Sequence, residues 1–363
     1  MHLKAPERIL KTINHREPDK VPAFETALTN YTIMKHYGID ITMGRGYKII
    51  YEFSRRIGID LVLSMVSLFP RRSTKDRKGF IDEYGRIMKS EYYKDGTLIY
   101  GYYGGHLKSF EDYESWEKPD PYLKTRLEQF LLGRKFQEEM KDEVFSIPAT
   151  GCLMEVTWEA FGLETFSRIL KKHKQAKKIF DTNGNFTLEI VKILAENDAK
   201  IVLLWDDYGF KNGLFMSPDN YRKYVFPWLK RICEAAHKRD CKIFLHSDGD
   251  LLEVFEDIIN CGVDAINPIE STTANPDYDI FNLNQKYGDK ITFSGNLSPI
   301  MLAMGEITEI ETYAKKLIRE LAPGGGYIFS SGHSINPAVT IDRFEAMQNI
   351  RRKYGSYPIN IPD

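Results

Sequence analysis

Cysteine is scarce in this sequence: four stand among 363 residues, at 152, 233, 241 and 261, and no two form a CxxC pair. That argues against a disulfide framework and leaves reduced structural thiols. An excess of charge is lacking too, with 50 basic against 51 acidic residues and no long run of one sign, so the chain carries no electrostatic footprint for nucleic acid. No apolar run approaches the roughly 20 residues of a membrane span, and the opening MHLKAPERIL lacks the apolar centre of a signal peptide. The expectation is a cytoplasmic protein with neither a membrane nor a nucleic-acid partner.

What is present is a hydrophobic content of 42%, enough for a large core at a length that suits two ordinary domains or one (β/α) barrel with insertions. Residues 5–15 pattern as an amphipathic helix, part of an N-terminal helical extension over about 1–18, and Val21–Glu25 reads as a first short strand. Further apolar or β-branched runs follow at Ile59–Val66, Phe145–Ala149, Lys200–Trp205, Lys242–Leu245, Val263–Asn267, Ile291–Ser294 and Gly326–Ser330. Helical patterns separate most of them, clearest at Pro218–Arg239, with Ser217 as N-cap, at Leu251–Asn260 and at Ile307–Leu321. Eight strands alternating with helices predict an α/β fold, a (β/α)8 TIM barrel, with an open doubly wound sheet as the alternative. Residues of about 67–143 break the rhythm. Phe80–Tyr103 reads as a β-hairpin turning at Asp95-Gly96, an insertion after the second strand, with helix from about Pro121. No linker or repeat divides the chain, which predicts one domain over 1–363.

In a parallel barrel the chemistry sits just past the C-terminal strand ends. Those positions hold Glu25, Phe69-Pro70-Arg71-Arg72, Thr150-Gly151-Cys152, Asp206-Asp207-Tyr208, His246-Ser247-Asp248, Asn267-Pro268-Ile269-Glu270, Gly295-Asn296 and Gly332-His333. Five carboxylates and two histidines in one mouth repel unless a cation or a proton sits among them. The expected metal ligands are His246, Asp248, Glu270 and His333, and imidazole with oxygen ligands makes zinc the first choice of ion. A single histidine after a strand also serves often as a hydrogen-bonded scaffold residue. Asp206, Asp207, His246 and His333 are the candidate catalytic residues, although Asp206-Asp207 equally suits a cap or an Asx turn. Glu25, Tyr208, Asn267 and Asn296 are the candidate substrate contacts. Phe210, Phe215, Tyr102, Tyr103 and Trp158 read as packing, with a subset able to stack on an aromatic substrate. Gly324-Gly325-Gly326 ends a helix and precedes a strand, which suits a C-cap better than a phosphate loop.

The segments PERILKTINHREPDKVP, WDDYGFKNGLFMSPDNYRKYVFPWLKRI, HSDGD, GVDAINPIE, YGDKITFSGNLSP and APGGGYIFSSGHSI, in this order, resemble the uroporphyrinogen decarboxylase superfamily over nearly the whole chain. The resemblance implies a TIM barrel and a cytoplasmic enzyme, either a true decarboxylase or a cobamide-dependent methyltransferase. True decarboxylases carry an arginine-containing RQAGRY-type segment that grips substrate carboxylates and an aspartate in an FSDI-type strand end. The corresponding regions here read FETALTNYTIM and LSMVSLFP. His333 aligns with the histidine of their GHGI-type segment and does not discriminate. Methyltransferases acting on coenzyme M resemble this chain with a His-x-Cys pair and a distant second cysteine on zinc. Asp248 stands here in place of the first cysteine and His333 near the second, harder ligands suited to an ether oxygen. The resemblance therefore implies a methyltransferase that demethylates methoxylated, in particular aromatic, compounds and passes the methyl group to the cobalt of a separate corrinoid protein. Uroporphyrinogen decarboxylase and a non-catalytic tetrapyrrole- or corrinoid-binding protein are the alternatives. The methyl donor, the metal and the oligomeric state, a homodimer included, stay open.

Overall fold

The computed structural model describes residues 2–362 apart from 27, 29 and 41–46. In chain order the strands are β1 (Leu61–Met65), β2 (Pro70–Ser73), β3 (Gly79–Asp82), β4 (Arg86–Tyr92), β5 (Leu98–Gly105), β6 (Phe145–Gly151), β7 (Ile201–Trp205), β8 (Gly209–Phe210), β9 (Gly213–Leu214), β10 (Lys242–His246), β11 (Ala265–Asn267), β12 (Thr292–Leu297) and β13 (Tyr327–Ser331). Seven of them form one curled parallel sheet in the order β1-β6-β7-β10-β11-β12-β13. Helices connect these strands on the outside, which makes the fold an α/β, TIM-barrel-like one.

The segment expected as the first strand is reduced to two bridges, Ala23 to Phe329 of β13 and Phe24 to Leu61 of β1, and these join the sheet's two edges. Pro22 has no N–H to give, and the Ala23 N–H goes to the Asp60 carboxylate at 2.8 Å, so a longer ladder is not available here.

Alternation along the strands sorts side chains into two layers. Ile201 and Leu203, Phe244, Ala265 and Ile328 face inward, where they meet Ala5, Ile9 and Ile13 of the N-terminal helix Ala5–Ile13. Val202, Leu204, Ile243, Leu245, Ile266 and Phe329 face the surrounding helices. The N-terminal helix caps the end where strands begin: Ala5 N–H bonds Asp142 O and Gly326 N–H bonds Thr12 O. The opposite end, at the strands' C-termini, is left for the site. Gly324, Gly325 and Gly326 all have positive φ, near +80°, and a side chain on Gly325 would strike the backbone of Arg16. The run is thus a turn packed against the N-terminal segment.

The insertion holds the expected hairpin, β4–β5 turning at Asp95-Gly96, within four antiparallel strands in the order β2-β3-β4-β5. The β3–β4 corner is an Asx turn, with Asp82 Oδ1 accepting the N–H groups of Tyr84, Gly85 and Arg86. The helix expected over Pro218–Arg239 contains a π turn at Tyr221–Val225 ahead of Phe226–His237, next to Pro227, which has no N–H for the regular ladder. Ser217 holds the N-cap position without a side-chain cap bond. All four cysteines are buried free thiols. Among the described residues no helix is long and apolar enough to cross a membrane.

Candidate metal centre

Register builds the site. His246, the last residue of β10, pairs with Trp205, the last of β7, so Asp248 and Asp207, each two residues further on, emerge side by side. The Asp248 N–H donates to Asp207 Oδ1 at 2.8 Å, and His246 Nε2 lies 3.9 Å from the same oxygen. Asp207, His246 and Asp248 each offer one ligand atom, and the three atoms lie within 4.8 Å of one another. The loop can pack this closely because Gly249 has φ +92° and a Cβ there would come within 2.3 Å of the Gly209–Phe210 backbone.

Hydrogen bonds around the cluster fix its chemistry. His246 is buried against the Trp205 ring, with centroids 4.5 Å apart. Its Nδ1 meets Asn267 Oδ1 at 3.1 Å, an oxygen that also accepts the Thr26 hydroxyl at 2.8 Å, while Asn267 Nδ2 donates to Ser294 Oγ. The amide oxygen is therefore an acceptor, Nδ1 carries the imidazole hydrogen, and Nε2 presents a lone pair to the aspartates. Burial, and next to it the Asp248 charge, pushes Asp207 up to about 6. Asp248 is kept below the usual carboxylate range, against its own burial, by the His333 hydrogen bond. His333 Nε2 stands 3.4 Å from Asp248 Oδ2, and that bond raises the imidazole's pKa. Asp248 Oδ1 is buried and has no hydrogen-bond partner among the described residues.

The structure redistributes the expected ligands. His246 and Asp248 come together as expected. Asp207, expected as an acid or base, joins them. His333 is brought to Asp248 as a hydrogen-bond partner and is half exposed. Glu270 stands outside the three-residue set, its carboxylate holding the Gly249 N–H at 2.9 Å and the Thr272 hydroxyl at 2.6 Å.

Of the expected catalytic and substrate residues, five are engaged by the protein's own groups. Asp206 is fully buried and its Oδ1 accepts the N–H groups of Met154 and Glu155, capping helix Met154–Phe161 from a neighbouring loop. Tyr208 is turned into the aromatic core against Tyr221 and Phe226. Asn296 accepts the Tyr313 hydroxyl and ties β12 to helix Ile307–Leu321. Asn267 is fully buried, and its Oδ1 orients His246. Glu25 is buried, with its pKa lifted to about 8 by that burial, and bonds the Ser331 hydroxyl and N–H. Because the Ser331 hydroxyl also meets His333 O, a protonated Glu25 donating to Ser331 Oγ satisfies all three groups.

A buried charge cluster adjoins Asp207 and was not anticipated. Glu155 Oε2 accepts the Asp207 N–H, while Arg86 bonds Asp82, Glu155 and Glu159 at 2.7, 3.2 and 2.8 Å. Burial lifts Glu159 to about 7 in spite of Arg86, and burial together with the Asp207 charge lifts Glu155 well above its ordinary value. The sequence signal was the i, i+4 acidic pair in MEVTWEAF just past β6. On the same helix Trp158 stacks on Phe215 at 4.9 Å; Tyr102 and Phe210 complete an aromatic shelf, and the Phe210 carbonyl accepts the Asp250 N–H beside the centre. Tyr103 faces away, its ring under the Lys89 ammonium.

The sequence model of the uroporphyrinogen decarboxylase family, URO-D, matches residues 97–354. The chain belongs to the uroporphyrinogen decarboxylase family. Curated relatives in that family include a uroporphyrinogen decarboxylase of Coxiella burnetii, 30% identical over 171 residues that make up 45% of this chain and 44% of that protein. One of Colwellia psychrerythraea is 24% identical over 61% of this chain and 63% of its own length. The chain thus spans about half the length of the curated family members it matches. In fold it is similar to a methyltransferase from Methanosarcina mazei, with a TM-score of 0.71 over 97% of this chain and 99% of that one at 16% identity.

Proposed function

We propose that this chain is a methyltransferase of the uroporphyrinogen decarboxylase family that takes a methyl group from a methoxylated aromatic compound and delivers it to the cobalt of a separate corrinoid protein. The observation that carries the reading is the Asp207, His246 and Asp248 cluster, with a buried Asp248 oxygen that no donor among the described residues satisfies. Two carboxylates and an imidazole lone pair within ligand reach of one another fit a divalent ion, zinc by donor type. Such an ion supplies Lewis-acid polarisation of the ether oxygen, which makes an alkoxide or phenolate a better leaving group. The protein's own part is to hold His246 in the tautomer that presents Nε2, to keep Asp248 ionised through His333, and to seat the substrate. The shelf of Tyr102, Trp158, Phe210 and Phe215 beside Asp207 favours an aromatic ring. A cytoplasmic location and a corrinoid-protein partner belong to the same proposal.

Decarboxylation of uroporphyrinogen is the second reading, favoured by the names of the curated relatives. Against it stands charge: a tetrapyrrole with many carboxylates needs fixed cations, whereas among the described residues the carboxylates Asp207, Asp248, Glu155 and Glu270 crowd this centre and the nearby Arg86 is already taken by Asp82, Glu155 and Glu159. The test is methyl transfer from a panel of methoxybenzoates, methoxyphenols, methanol and methylamines to Co(I) cobalamin, followed by the visible spectrum of methyl-cobalt, with uroporphyrinogen incubated in parallel. Methyl-cobalt formed from a methoxyaromatic and lost in Asp207→Asn supports the proposal. Coproporphyrinogen formation, with no methyl transfer from any donor, overturns it.

A further inference from the structure

Beside the insertion sheet lies a cavity of about 540 Å³ with a polar lining that includes Arg71, Arg72, His106 and Trp116. Two consecutive residues of one strand normally point to opposite faces. Here the pairing of β2 with β3 slips between Pro70 and Arg72, a bulge that makes Arg71 the extra residue and lets both arginines turn to the same side. Their guanidinium carbons come to 5.8 and 4.8 Å from the centre of one ring, that of Trp116. The ring is itself fixed, with Nε1 donating to Glu83 O at 2.9 Å, and His106 packs against it at 5.3 Å.

The two arginines are differently engaged. Arg71 bonds the carbonyls of Glu117 and Lys118 and pairs with the Glu117 carboxylate at the exposed rim, 3.3 Å away. Asp112, the other carboxylate in the lining, accepts the Lys108 N–H at 2.7 Å. Among the described residues no carboxylate pairs with Arg72, whose only side-chain hydrogen-bond partner is His106 Nε2 at 2.6 Å. That nitrogen must then be an acceptor, so the imidazole is neutral and does not add to the cation count. Two guanidinium groups held over one ring repel each other, and a planar fork with unused N–H donors beside an open cavity matches the oxygens of a carboxylate or phosphate in bidentate fashion.

We propose that this cavity is an anion site that receives the carboxylate or phosphate group of a small molecule, gripped by Arg71 and Arg72 over the Trp116 ring. The site shares no residue with the metal centre, and the proposal does not rest on the methyltransferase reading. It is tested by isothermal titration of the full chain with inorganic phosphate and, separately, with malonate, at fixed chloride in a non-coordinating buffer. The expected result is saturable binding of at least one probe at one site per chain. Arg72→Gln should weaken it roughly tenfold or more, the loss of one charge-assisted fork, and Arg72→Lys, which keeps the charge without the fork, should fall between. Arg72 is exposed, so the variants should fold, and matching urea midpoints would verify it. Which probe binds more tightly separates a phosphate from a carboxylate ligand. Binding of neither probe, equal competition by chloride, or unchanged affinity in Arg72→Gln overturns the proposal.

Discussion

Because Asn267 Oδ1 accepts from both the Thr26 hydroxyl and His246 Nδ1, the imidazole presents Nε2 to Asp207 and Asp248, and a residue outside the three-residue cluster sets the geometry of one within it. This ranks the effects of substitution. Titration with zinc should find one tight site per chain, abolished in His246→Ala and in Asp207→Asn. Asn267→Ala should weaken it by roughly tenfold to a hundredfold. Glu270→Gln should leave it intact, since Glu270 holds the loop through Gly249 and Thr272; loss of the metal in that variant would return Glu270 to the ligand set. Asp206 makes the contrasting case, because its buried oxygen serves the first N–H groups of helix Met154–Phe161. Asp206→Ala leaves those donors unpaired and should cost about 1–3 kcal/mol in urea unfolding without moving zinc affinity. The two neighbouring aspartates were indistinguishable in the sequence, where both sit past the end of β7. Strand register separates them, and register is a property of the pairing of β7 with β10 that no local pattern carries.

At the scale of elements, the seven parallel strands were legible because each is a buried run of β-branched and apolar residues bounded by helical periodicity. The strands of the insertion were harder. Pro70-Arg71-Arg72-Ser73 has no apolar alternation and becomes β2 only by pairing with β3. The closing segment at Ala23 and Phe24 is held less by ladder bonds than by charge. Arg8, almost wholly buried, bonds Asp60 Oδ1 at 2.6 Å and Asp19 Oδ1 at 2.7 Å, and the other Asp60 oxygen takes the Ala23 N–H. Burial alone would raise Asp19, yet Arg8 holds it down to about 2. Arg8→Met should therefore destabilise the protein by about 3–5 kcal/mol, since Asp60 and Asp19 lose their buried cation. Hydrogen exchange should quicken first at Phe24, Asp60 and Phe329, whose amides join this segment to its two neighbours. A uniform increase across the barrel would show that the clamp supports the whole fold and has no special hold on the closure.

For the molecule as a whole, the question is what fastens the four-stranded sheet to the barrel. Arg86 starts β4 and reaches Asp82 in its own sheet and Glu155 and Glu159 on the helix behind β6, so one guanidinium spans the junction. Three carboxylates face one cation, and burial raises both glutamates, Glu159 to about 7 and Glu155 well above its ordinary value. The sign follows from linkage. An acid whose pKa is higher folded than unfolded contributes stability that is fully present below the unfolded value of 4.5 and is lost as the pH rises through about 7. The native junction should thus be firmer at pH 5 than at pH 8, and Glu159→Gln should flatten part of that slope. Arg86→Met extends the test. At pH 5 both glutamates are already neutral, and the variant chiefly loses the Asp82 pair. At pH 8 it must also keep Glu155 and Glu159 buried without a cation. Urea unfolding should show a deficit of about 3–5 kcal/mol that widens by roughly 1 kcal/mol or more between the two pH values. A deficit equal at pH 5 and pH 8 would mean that the glutamates are not titrating against Arg86, and that the sheet is held to the barrel by apolar packing of Tyr102 on Trp158 and its neighbours.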